Sequence, residues 1–284
     1  MIKVKHIFFN ILCILGVAMI AIIVHAIMPS PGASINEASF DSILVQNFGF
    51  PVVACMYFII LYLHIFIVIR YFGARTAISN QEIGWRYGLS FGLIYLVGMQ
   101  EVVVSASPIH HYGIDFVLYQ LFMGLGDAIP AIILCVLIGH FTLKSATADK
   151  LEGKRSIKKN IFTVGVISVL FIIERVMGYV LGYIDSDLSQ YPLPVLIWTL
   201  IFGVTLGGAY ILIRPIYRSK NGGLIAFQSA VLSLGINWIW FNSFIGLILK
   251  DSIGQMLLRS GIDVIVIFVG ILIINYCNPS CSSM

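Results

Sequence analysis

The sequence predicts an all-α integral membrane protein, a single polytopic helix bundle with about eight transmembrane helices. Of its 284 residues, 59% are hydrophobic and only 11% are charged, and the mean hydropathy is +0.98. A soluble domain carries about 25% charged residues, so this composition is typical of a chain that lies in a lipid bilayer. The net charge of +4 comes without a basic cluster interleaved with aromatic residues, which excludes nucleic acid as a partner.

The predicted elements are apolar runs near the roughly 20 residues that a helix needs to cross the hydrocarbon core. The first run follows a short basic N-terminus and exceeds the about 7–15 apolar residues of a signal peptide, so we interpret it as a retained helix. Only residues 250–255 separate the last two runs. The eight runs cover about 7–27, 48–69, 87–106, 115–139, 161–183, 194–213, 224–249 and 256–275.

The distribution of basic residues predicts the topology. With the N-terminus inside, most of the 17 Lys and Arg residues fall in cytoplasmic segments, and Lys250 and Arg259 are assigned to outer loops. Both termini are therefore expected in the cytoplasm, with the protein in the cell membrane, either a plasma or a bacterial inner membrane. The basic loop at 144–159 is expected to bind anionic lipid head groups.

Four carboxylates on the predicted spans are the main functional signal: Glu101, Asp127, Glu174 and Asp263. An ionised side chain at the membrane centre costs roughly 2.5–3.5 kcal/mol on insertion scales, so four of them indicate a polar cavity rather than an anchor. Arg175 lies at a similar depth. It is expected to pair with Glu101 or Asp127, because the neighbouring Glu174 diverges by about 100° around the helix. Alternatively, there is no cavity: Arg175 and one acid form a buried pair that serves only packing, and the remaining acids are neutral or extend to the membrane surface.

The seventh predicted helix carries a polar stripe. Ser229, Ser233 and Asn237 recur at four-residue spacing and therefore share one face. Such groups form hydrogen bonds between membrane helices or line a cavity, and Asn237 is kept as a candidate site residue on the second interpretation.

The segment Gly124-Leu125-Gly126-Asp127, followed by Pro130, resembles the motif of the G-x-G-D aspartyl intramembrane proteases. The resemblance implies intramembrane proteolysis, with Asp127 as one of two carboxylates that share a proton. The chain departs from that family's pattern. Its preceding helix carries Glu101 in place of a Tyr-Asp pair, and no Pro-Ala-Leu occurs in the later helices.

The leading hypothesis is a small-solute transporter or permease with an outward-facing acidic cavity, coupled to protons or cations through the four carboxylates. One alternative is an intramembrane enzyme, either similar to the aspartyl proteases or lipid-modifying. Another is a non-catalytic membrane factor for immunity, assembly or regulation. No catalytic residue is assigned, and no metal or cofactor is expected. The expected partners are the bilayer and a small molecule or ion.

Overall fold

The computed structural model describes residues 2–27, 40–76, 78–105, 113–143, 156–217, 219 and 221–277. Within these residues, eight helices are long and apolar enough to cross a membrane, which confirms the predicted fold class and the number of spans. They are α1 (His6–Ile27), α2 (Phe50–Gly73), α3 (Asn80–Val104), α4 (Ile114–Thr142), α5 (Ile157–Leu181), α6 (Pro192–Ile216), α7 (Gly222–Ile248) and α8 (Ile253–Cys277). A short helix, Ile43–Phe48, precedes α2.

The eight helices form a closed bundle. Each packs against the next in the cyclic order α1, α2, α7, α8, α5, α6, α3, α4 and back to α1. Helix α3 is the most buried, whereas α1 and α5 are the least buried and expose long apolar faces. Because the number of spans is even, α1 begins and α8 ends at the same face, which we call the N-terminal face. Its assignment to the cytoplasm remains a prediction.

The helix α3 begins earlier than the sequence predicts, at Asn80 instead of residue 87. The Ser79 side chain accepts a hydrogen bond from the backbone N–H of Glu82 and caps the helix. Arg86 then donates to Glu82 over 2.7 Å, one turn along. Hydropathy misses this first part of α3 because its residues are polar, whereas the cap and the Arg86–Glu82 pair allow it to remain helical.

The predicted basic loop at 144–159 lies mostly outside the described residues. Only its end is described, where α5 begins at Ile157, four residues before the predicted start. The expected contact with anionic lipid therefore stays a prediction.

Glycines allow α3 and α4 to pack with their backbones in contact. A Cβ atom added at Gly84 would lie 2.7 Å from the carbonyl oxygen of Cys135, and one at Gly139 would lie 2.6 Å from that of Asn80. The pair α5 and α6 uses the same device at Gly207, where a Cβ would lie 2.8 Å from the Cα of Val164. Small residues permit this approach because no side chain separates the two backbones.

α2 and α4 end in π-helical segments, Ile69–Gly73 and Ile138–Thr142, and two further irregularities lie beside buried polar residues. α3 is interrupted by a turn at Met99 and Gln100, directly before Glu101. In α7, the nine residues Phe227–Gly235 form a π-helix between two α-helical parts. π-Helical turns are rare overall but frequent at functional sites, which makes the polar residues of this part of α7 candidates for a site.

Candidate functional site

Arg175 lies at the centre of a buried ion-pair network. Its side chain is fully buried, and its Nε and Nη2 donate to the two carboxylate oxygens of Asp263 over 2.9 and 2.6 Å. Its Nη1 donates to Glu101 Oε1 over 2.6 Å. The expected pairing with an acid on another helix is confirmed for Glu101. Asp263 was among the candidate acids but was not the expected partner.

Neighbouring side chains complete the hydrogen bonds of the two acids. Trp238 Nε1 donates to Asp263 Oδ2 over 2.8 Å, and Asn242 Nδ2 lies 3.4 Å from Glu101 Oε2. The rings of Phe171 and Trp198 lie 5.2 and 5.5 Å from the guanidinium carbon of Arg175. A buried charge is tolerated only when it is paired and hydrogen-bonded, and Arg175, Asp263 and Glu101 meet that condition.

The assignment of Arg259 to an outer loop is wrong. Arg259 lies in the second turn of α8, is only 4% exposed and donates from Nη2 to Asn242 Oδ1 over 2.7 Å. Its Nε lies 3.6 Å from Glu101 Oε1. An arginine at this depth requires a partner of opposite charge, and Glu101 provides one for Arg259 inside the bundle.

Glu174 joins this group without a hydrogen bond of its own. Its Oε2 lies 3.7 Å from Arg175 Nε, and neither of its oxygens has a hydrogen-bond partner among the described residues. Its carboxyl group is close enough to Asp263 and Glu101 to be repelled by both. We call Glu101, Glu174, Arg175, Arg259 and Asp263 the Arg175 centre. Three carboxylates face two guanidinium groups, so a proton or a monovalent cation is needed to balance the charge.

Asp127 is separate from the Arg175 centre and is paired with His25 of α1. Asp127 is 1% exposed, and its Oδ1 lies 3.6 Å from His25 Nε2. His25 Nδ1 contacts the carbonyl oxygen of Ala21 over 2.8 Å, which fixes the ring and turns Nε2 toward Asp127. Sequence reasoning missed His25, since a lone histidine near a helix end carries no signal of its partner.

Three tyrosines surround Asp127 but do not neutralise it. Tyr57, Tyr62 and Tyr95 are close enough to be influenced by its charge. Their hydroxyl groups donate elsewhere, to the carbonyl oxygens of Phe241 and Asp127 and to the side chain of Asn237. Among the described residues, Asp127 Oδ1 therefore has no hydrogen-bond partner.

A small cavity connects the two charged groups. Its volume is 40 Å³, and its walls include His25 and Asp127 on one side and Glu101, Asn242 and Arg259 on the other. A buried water needs about 10–15 Å³ of such volume and polar partners, so this cavity has room for a few waters between the two groups.

A large cavity of 490 Å³ adjoins the small one. Six residues line both cavities: His25, Phe58, Met99, Val102, Phe244 and Ile245. The large cavity lies where α1 ends, α2 begins and α7 ends, which is the face opposite the N-terminal face. Of the four carboxylates expected at one cavity, Glu101 and Asp127 line the small cavity, whereas Glu174 and Asp263 do not line either cavity. The outward orientation of the cavities remains a prediction.

Asn237 lies away from the carboxylates. Its Oδ1 accepts from the Tyr95 hydroxyl over 2.7 Å, and its Nδ2 lies 3.3 Å from His64 Nδ1. Ser233, on the same stripe, is hydrogen-bonded to Tyr217. These contacts join α7 to neighbouring segments, so the geometry favours the interhelical interpretation of the stripe over the cavity wall.

The G-x-G-D segment serves helix packing here. A Cβ at Gly124 would lie 3.0 Å from the carbonyl oxygen of Leu96 in α3, and one at Gly126 would lie 2.8 Å from Val24 of α1. The charged partner of Asp127 among the described residues is His25, not a second carboxylate. The geometry therefore gives no support to a shared-proton dyad at Asp127.

Among the described residues, no group of three His, Cys, Asp and Glu side chains is arranged to hold a metal ion.

No known protein provides a function for this site by similarity. No family model matches the chain, and neither a curated protein nor a solved structure matches it.

Proposed function

We propose that the protein is a transporter for a small solute, coupled to the movement of protons. One observation carries the proposal. A 490 Å³ cavity at one membrane face leads to a 40 Å³ cavity that touches two incompletely neutralised charge groups. Intramembrane ionisable residues are expensive and characteristically mark substrate or proton pathways. A simple structural bundle would need neither a buried Asp127 whose Oδ1 lacks a hydrogen bond nor a polar space beside it.

The two groups would have different tasks. His25 and Asp127 face the entrance from the large cavity and can hold one proton between them. The Arg175 centre lies across the small cavity, and its surplus negative charge is located at Glu174. A proton that reached Glu174 would balance this group and could form a bond toward Asp263. Coupling would then consist of linked proton occupancy at the two groups.

With the N-terminal face in the cytoplasm, the large cavity would face outward. This orientation and the cell membrane location both rest on the charge distribution of the loops. The site would therefore take its solute from outside the cell.

An enzyme is supported less well. An aspartyl mechanism needs two carboxylates that share a proton at the scissile bond, whereas Asp127 faces a histidine. A non-catalytic membrane factor accounts for the packed Arg175 network. It gives no role to the cavity or to the Asp127 Oδ1 atom, which lacks a hydrogen bond among the described residues.

Uptake into proteoliposomes tests the proposal. Purified protein would be reconstituted with a pH-sensitive dye inside and challenged with pools of amines, amino acids, sugars, nucleosides and inorganic cations across an imposed pH gradient. We expect uptake of one pool together with faster loss of the pH gradient. Failure of every pool to move faster than in protein-free vesicles, in both orientations of the gradient, would contradict transport.

A further inference from the structure

The walls of the large cavity are mainly apolar and rich in aromatic rings, with Gln120 and His25 as polar members. Phe40 and Phe50 stack at 4.9 Å, and Phe58 and Phe244 lie 6.3 Å apart. Ligand pockets commonly measure about 300–1,000 Å³ and are lined mainly by apolar and aromatic groups, so 490 Å³ suits one organic molecule. This lining disfavours sugars and small inorganic ions, which require many polar contacts.

At the inner end of this space, the negative charge of Asp127 is only partly neutralised by the protein. Asp127 is 1% exposed, yet no described group donates to its Oδ1, and the nearby tyrosine hydroxyls donate to other acceptors. Arg259 lines the same small cavity, but its guanidinium is directed to Asn242 and Glu101. The positive charge of Arg259 is therefore already engaged within the Arg175 centre.

We propose that the two cavities together bind an amphipathic organic cation. Its ammonium group would lie beside Asp127 and His25, and its apolar body would fill the space between the phenylalanines. Aromatic faces attract cations as well as apolar groups, which favours this class at Phe58 and Tyr57. The choice of substrate class rests on the proposed transport function, but the binding site itself does not.

The cation would compete with a proton. When the His25–Asp127 pair holds a proton, that proton offsets the negative charge of the carboxylate. An arriving ammonium group replaces it, and the proton leaves the pair for the solvent. The ionisable groups that face this pair are Tyr57 and Tyr62 of α2, Tyr95 of α3, and Glu101 and Arg259 across the small cavity. Binding should therefore release a proton and strengthen as the pH rises.

A pair of matched probes tests the site in detergent-solubilised full-length protein. The first is 4-phenylbutyl-trimethylammonium, which cannot lose a proton itself. The second is its neutral isostere, with carbon in place of nitrogen. We expect the ammonium probe to bind at least about thirtyfold more tightly, because the neutral probe leaves the buried Asp127 charge without a cationic partner. Titration calorimetry in two buffers of different ionisation enthalpy would reveal the released proton.

Variants localise the effect. Asp127→Asn should remove the preference for the ammonium probe, and His25→Gln should retain binding but reduce proton release. Asp185→Asn, at an exposed loop position, should leave both unchanged.

Equal affinity for the two probes, or no binding of either to the wild-type protein, would overturn the proposal without requiring any variant to fold. Binding without uptake in proteoliposomes would overturn the transport function while leaving this site intact. Uptake of a different solute class without ammonium binding would overturn this binding site while leaving the transport function intact.

Discussion

The Arg175 guanidinium holds both oxygens of the Asp263 carboxylate, over 2.9 and 2.6 Å, and so ties α5 to α8 inside the bundle. The same guanidinium reaches Glu101 of α3. One side chain therefore connects three helices that are separated in sequence. Two parallel N–H···O bonds fix the relative orientation of the groups as well as their distance, and a lysine could not reproduce them.

Replacing Arg175 by methionine should destabilise the protein strongly. The change leaves Asp263 and Glu101 buried without their main partner, at a cost of about 3–5 kcal/mol. Thermal unfolding in detergent and the yield of monodisperse protein would measure the effect. Adding Asp263→Leu should recover part of the loss, since an apolar pair can replace a buried ion pair. Arg75→Met, at an exposed position, is the control. Wild-type stability of Arg175→Met would contradict the network.

Neutralising Glu174 and neutralising Asp263 should have different effects on the stability of the fold. Asp263→Asn loses charge-assisted bonds to Arg175 and Trp238 and should lower the unfolding temperature. Glu174→Gln removes the surplus negative charge from a group whose oxygens lack hydrogen bonds, so the fold should be at least as stable as the wild type. The same assay compares the two variants directly. Equal destabilisation would show that Glu174 is a structural partner and not a site for an exchangeable proton.

Asp127→Asn should preserve folding and abolish solute-coupled proton movement. Asparagine has nearly the same shape as aspartate but cannot carry the charge that faces His25. Proteoliposome uptake would measure the loss, with the exposed Asp185→Asn as the matched control. Glu101→Gln should be the next most damaging change to activity. Full activity of Asp127→Asn would remove the central residue of the transport proposal.

The eight spans could be predicted because a bilayer imposes length and hydropathy on each helix separately. The pairing of Arg175 with an acid could be predicted as well, since an unpaired arginine at this depth is too costly. The choice between Asp263 and Asp127 could not, because it depends on how α4 and α8 are placed around α5. His25 and Arg259 were missed for a related reason. Each lies near a helix end, where sequence alone allows a side chain to face water as readily as the interior.

A labelling experiment tests the orientation of the bundle in the membrane. In a chain with Cys277 and Cys281 replaced by serine, a membrane-impermeant maleimide should label Asp185→Cys on intact cells. It should label Lys158→Cys only after permeabilisation, because basic segments remain in the cytoplasm. Both positions are exposed. The reverse pattern would place the large cavity on the cytoplasmic side.

Two glycines should behave differently when replaced by alanine. A Cβ at Gly84 would lie 2.7 Å from the Cys135 carbonyl oxygen, so Gly84→Ala should push α3 from α4 and cost about 1–3 kcal/mol. At helical Gly165 a Cβ meets nothing within 4 Å, and Gly165→Ala should stabilise by about 0.5–1 kcal/mol. Unfolding in a denaturant series compares them. Similar effects at the two positions would contradict the close contact of α3 and α4.

The π-helical segment Phe227–Gly235 has a mechanical consequence for α7. A π turn holds about one residue more than an α turn, so converting one turn of this segment would rotate the following half of α7 by about 100°. That half carries Trp238, which bonds to Asp263, and Asn242, which bonds to Glu101 and Arg259. A single change of register would therefore withdraw these contacts together. A change in the occupancy of the charged groups would in this way be linked to a rotation of the second half of α7.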